Sequence, residues 1–348
     1  MKNHKLLLVI SLGTLLFSCN NEEKNDSLFS IDTSIMQQQY KPQETLSLVI
    51  KNNSGKNIDS VAYYINSKKI TTVKGNDEYV FPLENQKLGY QNIKGIVYFE
   101  GKNNEAEARV ELVSGIHPKL MEYEIVNTYP HDIQAYTQGL EFYRDTLIEG
   151  TGRKGFSSLR KTDYKTGTVY KQINLEGKYF GEGITVLNNK IYQLTWQENT
   201  GFIYNADTFE KEREFTYFKN VEGWGITNDG DYLYQSDGTE KIWIIDPETL
   251  KEIDYINVYT ANTKIKGVNE LEWINGKIFG NIYLKDAIAI IDPKNGAVEG
   301  VINLIDLKNK VTLHPELDVL NGIAYNPKTN TIFVTGKNWD KMFEIRIK

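Results

Sequence analysis

A short sequence element recurs five times in the last two-thirds of this chain, and it limits the possible folds more than any other feature. In each copy one residue, usually glycine, precedes an aliphatic residue that opens a strand-like run, and a residue of varying chemistry stands before both. The copies are Gln138-Gly139-Leu140, Glu182-Gly183-Ile184, Trp224-Gly225-Ile226, Asn269-Glu270-Leu271 and Asn321-Gly322-Ile323. Short strands that repeat at intervals of roughly 40–50 residues predict the blades of a β-propeller.

The residues between the copies continue each repeat in the same order. Turn residues follow the first strand, as in Asn188-Asn189 and Asn275-Gly276, and further strands and turns come after them. The fifth repeat ends after its third strand, whereas an unassigned strand at residues 123–128 precedes the first repeat. We expect this early strand to complete the last blade and close the ring. The sequence therefore predicts an all-β protein with a five-bladed β-propeller over residues 122–348.

Two positions in each repeat are expected to meet at the mouth of the central channel, because the first strand of a hairpin begins where its antiparallel second strand ends. The first position holds Gln138, Glu182, Trp224, Asn269 and Asn321. The second position holds Gly152, Trp196, Gly238, Tyr283 and Lys337. Equivalent positions that serve only the scaffold should resemble one another, and these do not. A carboxylate, an ammonium group, amides and aromatic rings at one opening predict a small-molecule pocket.

Each of these residues also has a purely structural interpretation. Glu182 and Asn269 can hydrogen-bond to a turn, Trp196 and Trp224 can pack in a core, and Lys337 can be a solvated charge on the rim. Titratable groups with perturbed surroundings occur in structural networks as well as in active sites. The interpretation as a site therefore depends on the whole set being brought together.

Several segments, in order and across all five repeats, resemble the plant-type glutamine cyclotransferases. They are Thr137-Gln138-Gly139-Leu140, Phe180-Gly181-Glu182-Gly183-Ile184-Thr185, Leu194-Thr195-Trp196, Glu222-Gly223-Trp224-Gly225-Ile226, Asn269-Glu270-Leu271-Glu272 and Thr335-Gly336-Lys337. The resemblance covers the C-terminal region and not the residues before it. It implies a five-bladed propeller that acts as a glutaminyl-peptide cyclotransferase, converting the N-terminal glutamine of peptides to pyroglutamate with release of ammonia.

The resemblance also implies roles for individual residues. Glu182 corresponds to the catalytic acid/base, and we expect Asn269 and Lys337 to stabilise the oxyanion, with Gln138 assisting them or holding the substrate amine. Tyr283 stands where the family usually has another tryptophan. The residues expected to bind substrate are Gln138, Trp196, Trp224, Tyr283 and Asn321. Catalysis by this scheme requires no metal and no other cofactor.

Two other functions remain open from the sequence. A non-catalytic propeller can bind peptides or glycans at the same channel mouth, since propellers serve many unrelated functions. A metal-dependent propeller hydrolase of the lactonase type needs several carboxylates and amides around one cation, whereas this ring has Glu182 beside Asn269 and Asn321. Ammonia release from a peptide with N-terminal glutamine distinguishes the enzyme from the binding protein, and sensitivity to chelators identifies the hydrolase.

The first 18 residues have the pattern of a bacterial lipoprotein signal peptide. Two lysines precede an apolar run at residues 6–17, which is too short for a typical membrane span. The run ends in Leu16-Phe17-Ser18-Cys19, which resembles a lipobox, and Cys19 is the only cysteine in the chain. We therefore expect Cys19 to carry a lipid that anchors the protein in the cell envelope, with residues 19–27 as a tether. An ordinary cleaved signal with an unrelated cysteine is the alternative.

Residues 28–116 contain short strand-like runs separated by polar turns, among them residues 60–65 and 92–99. This pattern predicts a small β-sandwich of immunoglobulin-like type before the propeller, with residues 117–121 as a linker. The net charge of −6 and the lack of a basic stripe argue against nucleic-acid binding. We expect a monomer whose substrates are peptides or proteins with N-terminal glutamine.

Overall fold

The computed structural model describes residues 27–348, in which nearly all regular structure is β-strand. The predicted signal peptide, Cys19 and most of the predicted tether lie outside these residues. No helix in the described part of the chain is long and apolar enough to span a bilayer.

The N-terminal region is built from short strands in three small sheets. Its strands are β1 (Phe29–Ile31), β2 (Gln39–Tyr40), β3 (Thr45–Leu48), β4 (Ile50–Asn52), β5 (Ser60–Ile65), β6 (Lys68–Lys74), β7 (Tyr79–Pro82), β8 (Gly89–Phe99) and β9 (Lys102–Leu112), with a 3₁₀ turn at Thr33–Ile35. One sheet has the order β2-β9-β8-β5-β6, while β1 pairs with β4 and β3 pairs with β7. Alternate residues of β8 are buried, as expected of a strand with one face on a core. Side chains from all three sheets meet in one hydrophobic cluster, so the predicted small β-sandwich is confirmed.

The rest of the chain forms five sheets that are the blades of a propeller. Its elements are β10 (Lys119–Met121), β11 (Tyr123–Pro130), β12 (Thr137–Tyr143), β13 (Thr146–Thr151), β14 (Ser158–Thr162), β15 (Val169–Asn174), β16 (Gly181–Leu187), β17 (Lys190–Thr195), β18 (Thr200–Asn205), β19 (Lys211–Thr216), β20 (Ile226–Asn228), β21 (Leu233–Ser236), β22 (Lys241–Ile245), β23 (Glu252–Asn257), β24 (Val268–Ile274), β25 (Lys277–Ile282), β26 (Ala287–Ile291), β27 (Val298–Asn303), α1 (Ile305–Lys308), β28 (Leu320–Asn326), β29 (Thr331–Gly336) and β30 (Lys341–Ile347). Blades one to four are β12–β15, β16–β19, β20–β23 and β24–β27, and blade five is β28–β30 with β11. The predicted propeller is confirmed.

Blade five is completed by the strand that precedes the first repeat, as predicted. Strand β11 runs antiparallel to β30, from Tyr123 opposite Ile347 to Pro130 opposite Lys341. One sheet thus joins the beginning and the end of the propeller. The segment expected to be a linker, residues 117–121, contains β10, which pairs in parallel with β27 at the outer edge of blade four. The unpaired backbone groups of that edge accept the passing chain as a further strand.

The glycine of the repeated element is explained by the close approach of neighbouring inner strands. A Cβ on Gly183 would lie 2.7 Å from the carbonyl oxygen of Trp224, closer than non-bonded atoms can pack. Blade four has Glu270 at the equivalent position. Its carboxylate accepts hydrogen bonds of 3.2 Å from the backbone N–H of Leu140 and 2.9 Å from that of Ile323. The exceptional glutamate therefore bridges the inner strands of blades one, four and five.

The loop between blades three and four contacts the β-sandwich. Tyr259 of this loop is fully buried in the hydrophobic cluster of the sandwich, and its hydroxyl donates a 2.8 Å hydrogen bond to Glu111. Lys87 of the sandwich forms a 2.6 Å ion pair with Asp254 on β23. The sandwich is thus attached at blades three and four.

Candidate active site

Side chains from all five blades enclose a cavity of about 250 Å³ where the inner strands begin. They are Tyr136, Gln138, Phe180, Glu182, Trp196, Trp224, Asn269, Tyr283 and Lys337. Every predicted catalytic and substrate-binding residue except Asn321 lies in this lining, so side chains distant in the sequence come together here. Within residues 27–348, no group of three or more histidine, cysteine, aspartate or glutamate side chains is positioned to hold a metal ion.

Irregular strand pairing surrounds the first compared position in four of the five blades. The register between the first and second strands of a blade shifts around four of the predicted residues: Gln138, Glu182, Asn269 and Asn321. Such a bulge breaks the alternation of a strand and redirects one side chain. The residue type can therefore vary at this position from blade to blade without changing the pairing of the strand that follows.

Glu182 is a buried carboxyl at the cavity wall, with 5% of its surface exposed. The side-chain amide of Gln138 donates a 3.0 Å hydrogen bond to its Oε1. Burial raises the pKa of Glu182 well above its usual range, and the positive charge of Lys337 opposes the rise only in part. A carboxyl with a raised pKa can both accept and release a proton near neutral pH.

Lys337 brings a buried ammonium group to the same cavity, with 3% of its surface exposed. Its Nζ lies 4.8 Å from the ring centre of Tyr136 and 5.6 Å from that of Tyr283, so aromatic faces replace part of its hydration. Burial lowers the pKa of Lys337, and the charge of Glu182 opposes that change. Burial thus brings the pKa values of the Glu182 carboxyl and the Lys337 ammonium group closer together.

The two predicted asparagines differ in their positions. Asn269 lines the cavity, is almost fully buried, and has an Oδ1 without a hydrogen-bond partner in the described part of the chain. Asn321 does not line the cavity and instead lies behind Gln138. Its Nδ2 donates hydrogen bonds of 3.1 Å to Gln138 Oε1 and 2.9 Å to the carbonyl of Thr137. Asn321 therefore fixes the orientation in which Gln138 offers its N–H to Glu182.

Aromatic rings form the rest of the wall in two edge-to-face pairs. The ring centres of Phe180 and Trp196 are 5.7 Å apart, and those of Trp224 and Tyr283 are 5.5 Å apart. Edge-to-face contacts of this kind favour one relative orientation of the rings. The cavity wall is consequently apolar and fixed in shape.

Glu222 holds the two tryptophans from outside the cavity. The indole N–H groups of Trp196 and Trp224 both donate 2.9 Å hydrogen bonds to its Oε2, and Gln197 donates one of 2.9 Å to its Oε1. Partial burial by itself would raise the pKa of Glu222, but these hydrogen bonds outweigh it and lower the pKa. The carboxylate therefore stays charged and locks both rings.

Two glycines at the second compared position make room for the aromatic wall. A Cβ on Gly152 would lie 2.4 Å from the ring of Phe180, and one on Gly238 would lie 2.6 Å from the ring of Trp224. Variation at this position thus reflects the shape of the cavity as well as its chemistry.

Three contributing residues were not predicted from the sequence: Tyr136, Phe180 and Glu222. Each stands two residues before a position that was compared across the repeats. A comparison of this second set of positions, which stand just before β12, β16 and β20, would have found them.

Comparison with known proteins gives concordant matches. The family model described as glutamine cyclotransferase matches residues 98–347, which include all five blades. The glutaminyl-peptide cyclotransferase of Arabidopsis thaliana is 40% identical over 233 residues, covering 66% of this chain and 72% of that protein. The crystal structure of Myxococcus xanthus glutaminyl cyclase matches with a TM-score of 0.62 and 33% identity, covering 67% of this chain and 99% of that chain. This chain therefore belongs to the glutamine cyclotransferase family.

Proposed function

We propose that this chain is a glutaminyl-peptide cyclotransferase, which converts the N-terminal glutamine of a peptide to pyroglutamate and releases ammonia. The observation that carries this proposal is the meeting of a buried carboxyl, a buried ammonium group and a buried amide in one aromatic cavity. The relatives from Arabidopsis and Myxococcus bear names that describe the same activity.

The size of the cavity suits a single residue. Its volume of about 250 Å³ lies just below the roughly 300–1,000 Å³ of pockets that take drug-sized ligands, so it suits one residue rather than a longer peptide. A glutamine confined between Trp196 and Trp224 must fold its side chain back towards its own α-amine. Holding the two reacting groups in such a near-attack geometry removes much of the entropic barrier to ring closure.

Glu182 is the proposed proton carrier. The α-amine attacks the side-chain amide carbon, a new C–N bond forms, and the bond to the side-chain nitrogen then breaks to release ammonia. Glu182 takes the proton from the attacking amine and delivers it to the leaving nitrogen, so the carboxyl ends the cycle unchanged. A free α-amine has a pKa of about 7.7–8.0. Part of the substrate amine is therefore already neutral at pH 7 and can attack the amide carbon. Gln138, oriented by Asn321, keeps the carboxylate in position through the hydrogen bond to Oε1.

Lys337 and Asn269 are the proposed partners of the oxyanion that forms on the amide oxygen. Both are almost fully buried, so little water competes for their hydrogen bonds. Preorganised donors in such a site stabilise developing charge far more than they would in water. The aromatic faces beneath the ammonium group restrict where it can move, which keeps it close to the reacting carbon.

Ammonia release from two matched peptides tests the activity. One peptide has a free N-terminal glutamine, and the control is the same peptide acetylated on its α-amine. We expect ammonia and pyroglutamate from the first peptide only, at a rate that a chelator leaves unchanged. A protein that binds the free peptide and releases no ammonia would instead be a binding propeller.

We also propose that a lipid on Cys19 anchors the enzyme in the cell envelope. Support comes from the charged start, the short apolar run and the position of the only cysteine. Cys19→Ser should move the protein from the membrane fraction to the soluble fraction of the producing bacterium. Unchanged membrane association of this variant would rule out the lipid anchor.

A further inference from the structure

A second, larger groove adjoins the active-site cavity. It has a volume of about 710 Å³ and lies between blade one and the segment that leads into blade five. Tyr136 lines both the cavity and the groove, so the two spaces are separated by a single ring. Arg153 lies over that ring, 4.4 Å from its centre, and forms a 3.0 Å ion pair with Glu316 on the opposite side of the groove.

We propose that this groove binds the residues that follow the N-terminal glutamine of the substrate. This inference rests on the proposed function. The cavity has room for about one residue, and the rest of a peptide substrate must therefore lie outside it. The groove is the adjoining space, and it begins at the wall of the cavity.

The polar lining of the groove matches the needs of a peptide backbone. Each peptide unit brings one N–H donor and one carbonyl acceptor that need partners when they are buried. Amide side chains offer both functions, and Gln172 and Asn174 of β15 supply two exposed ones at the groove. Asn338 supplies a third, with only 4% of its surface exposed.

Asn338 has the most specific feature of the groove. Its Nδ2 donates a 3.0 Å hydrogen bond to the carbonyl of Ile133, which fixes the orientation of the amide. Its buried Oδ1 then has no hydrogen-bond partner among residues 27–348. A buried acceptor without a partner is unfavourable by about 1–3 kcal/mol, and a small outward shift of Asn338 on substrate binding would let a peptide N–H satisfy it.

Phe156 gives the groove an apolar contact surface. Its ring is 80% exposed and lines the groove at the tip of a turn in blade one. The turn contains Arg153 and Gly155 with φ angles of 79° and 83°, so left-handed backbone directs the chain outward here. A substrate side chain that covers this ring gains free energy in proportion to the apolar area removed from water.

Two substrates and three variants of the full chain test the proposal. The substrates are glutaminamide, which fills the cavity alone, and an amidated tetrapeptide that begins with glutamine and contains a leucine. We expect kcat/KM of the wild type to be about tenfold higher for the tetrapeptide. Phe156→Ser and the double variant Gln172→Ala/Asn174→Ala should each reduce the ratio of the two kcat/KM values about fivefold. Ile253→Ser, which removes an exposed apolar residue from β23, is the matched control and should leave the ratio unchanged.

The possible outcomes separate a failure of the groove proposal from a failure of the proposed function. If the wild type turns over both substrates with equal kcat/KM, or if both groove variants keep the wild-type ratio, the groove is not a subsite although the proposed function stands. If the wild type releases ammonia from neither substrate, the proposed function fails and the subsite fails with it.

Discussion

Buried carboxyls in two regions of this propeller, the channel and its mouth, differ in what their oxygens contact. In the channel, Glu270 accepts backbone N–H groups from blades one and five, and Glu272 accepts a 2.7 Å hydrogen bond from the backbone N–H of Tyr325. At the channel mouth, Glu182 receives a hydrogen bond from the side chain of Gln138 and faces an open cavity. The first two carboxyls join inner strands, whereas the third is available to a ligand.

The comparison shows that a shifted pKa does not by itself mark a catalytic group. Burial raises the pKa of Glu182, Glu270 and Glu272 well above the usual range, and the charge of Glu141 adds to the rise for Glu272. What separates them is the set of partners. A carboxyl that satisfies backbone N–H groups stabilises the fold, and one whose neighbours are side chains around a cavity can act on a substrate.

Glu182→Gln should produce the largest effect on activity. A small effect would contradict the distinction between Glu182 and the channel carboxyls. The amide keeps the size of the side chain but cannot carry the proton, so kcat for ammonia release should fall about 10³-fold. The melting temperature should stay close to that of the wild type, because no backbone N–H depends on this residue. Glu176→Gln, on the surface of blade one, is the control. Turnover near the wild-type rate would remove Glu182 from the mechanism.

Glu270→Ala should give the opposite result, with a loss of stability as its main effect. The substitution leaves the backbone N–H groups of Leu140 and Ile323 without their acceptor, and unpaired buried groups are each unfavourable by about 1–3 kcal/mol. We expect chemical denaturation to show a free energy of unfolding lower by about 3 kcal/mol. A variant as stable as the wild type would show that the carboxylate does not hold the inner strands together.

Lys337→Met should have a smaller effect on activity, and it tests whether Lys337 stabilises the transition state or binds the substrate. The thioether fills the space of the lysine stem and removes the charge, so transition-state stabilisation is lost while substrate contacts with the aromatic wall remain. We expect kcat to fall about 30-fold with little change in KM, as measured by steady-state kinetics on a glutaminyl peptide. A rise in KM at constant kcat would instead identify Lys337 as a binding residue.

The sequence predicts the parts of this molecule that repeat. The five inner strands and seven of the cavity residues follow from aligning equivalent positions, because equivalent positions in a closed ring converge on its axis. The closing strand β11 follows from the strand that the fifth repeat lacks. The strand β10 was not predicted, since three residues carry no periodic signal and pair with the edge of a distant sheet.

Individual side-chain contacts between blades could also not be predicted from the sequence. Gln138 and Asn321 stand at equivalent register shifts, yet only Gln138 lines the cavity, and Asn321 hydrogen-bonds to it from behind. Glu222 joins indoles from two blades, and the side chain that reaches both depends on distances that only the folded ring defines. Aligning the repeats therefore locates the site, whereas the role of each residue depends on contacts that differ from blade to blade.

Glu141→Gln should give the smallest effect on activity, and it tests through pH how burial acts on a carboxyl that accepts a backbone N–H. Glu141 accepts hydrogen bonds of 2.7 Å from the Thr185 hydroxyl and 3.1 Å from the Val186 N–H, and burial raises its pKa from 4.5 to about 7. Because the folded state binds this proton more tightly than the unfolded state, the stabilisation is complete below about pH 4.5 and is lost as pH rises to about 7. Glutamine stays neutral throughout.

Thermal or chemical denaturation between pH 4.5 and 7 therefore measures this contribution of Glu141. Over that range the wild type should lose about 2–3 kcal/mol more stability than Glu141→Gln. Ammonia release by the variant at pH 7 should remain near that of the wild type, because the residue does not line the cavity. Parallel stability curves for the two proteins would mean that the Glu141 proton is bound equally in the folded and unfolded states, and Glu141 would then be charged at neutral pH.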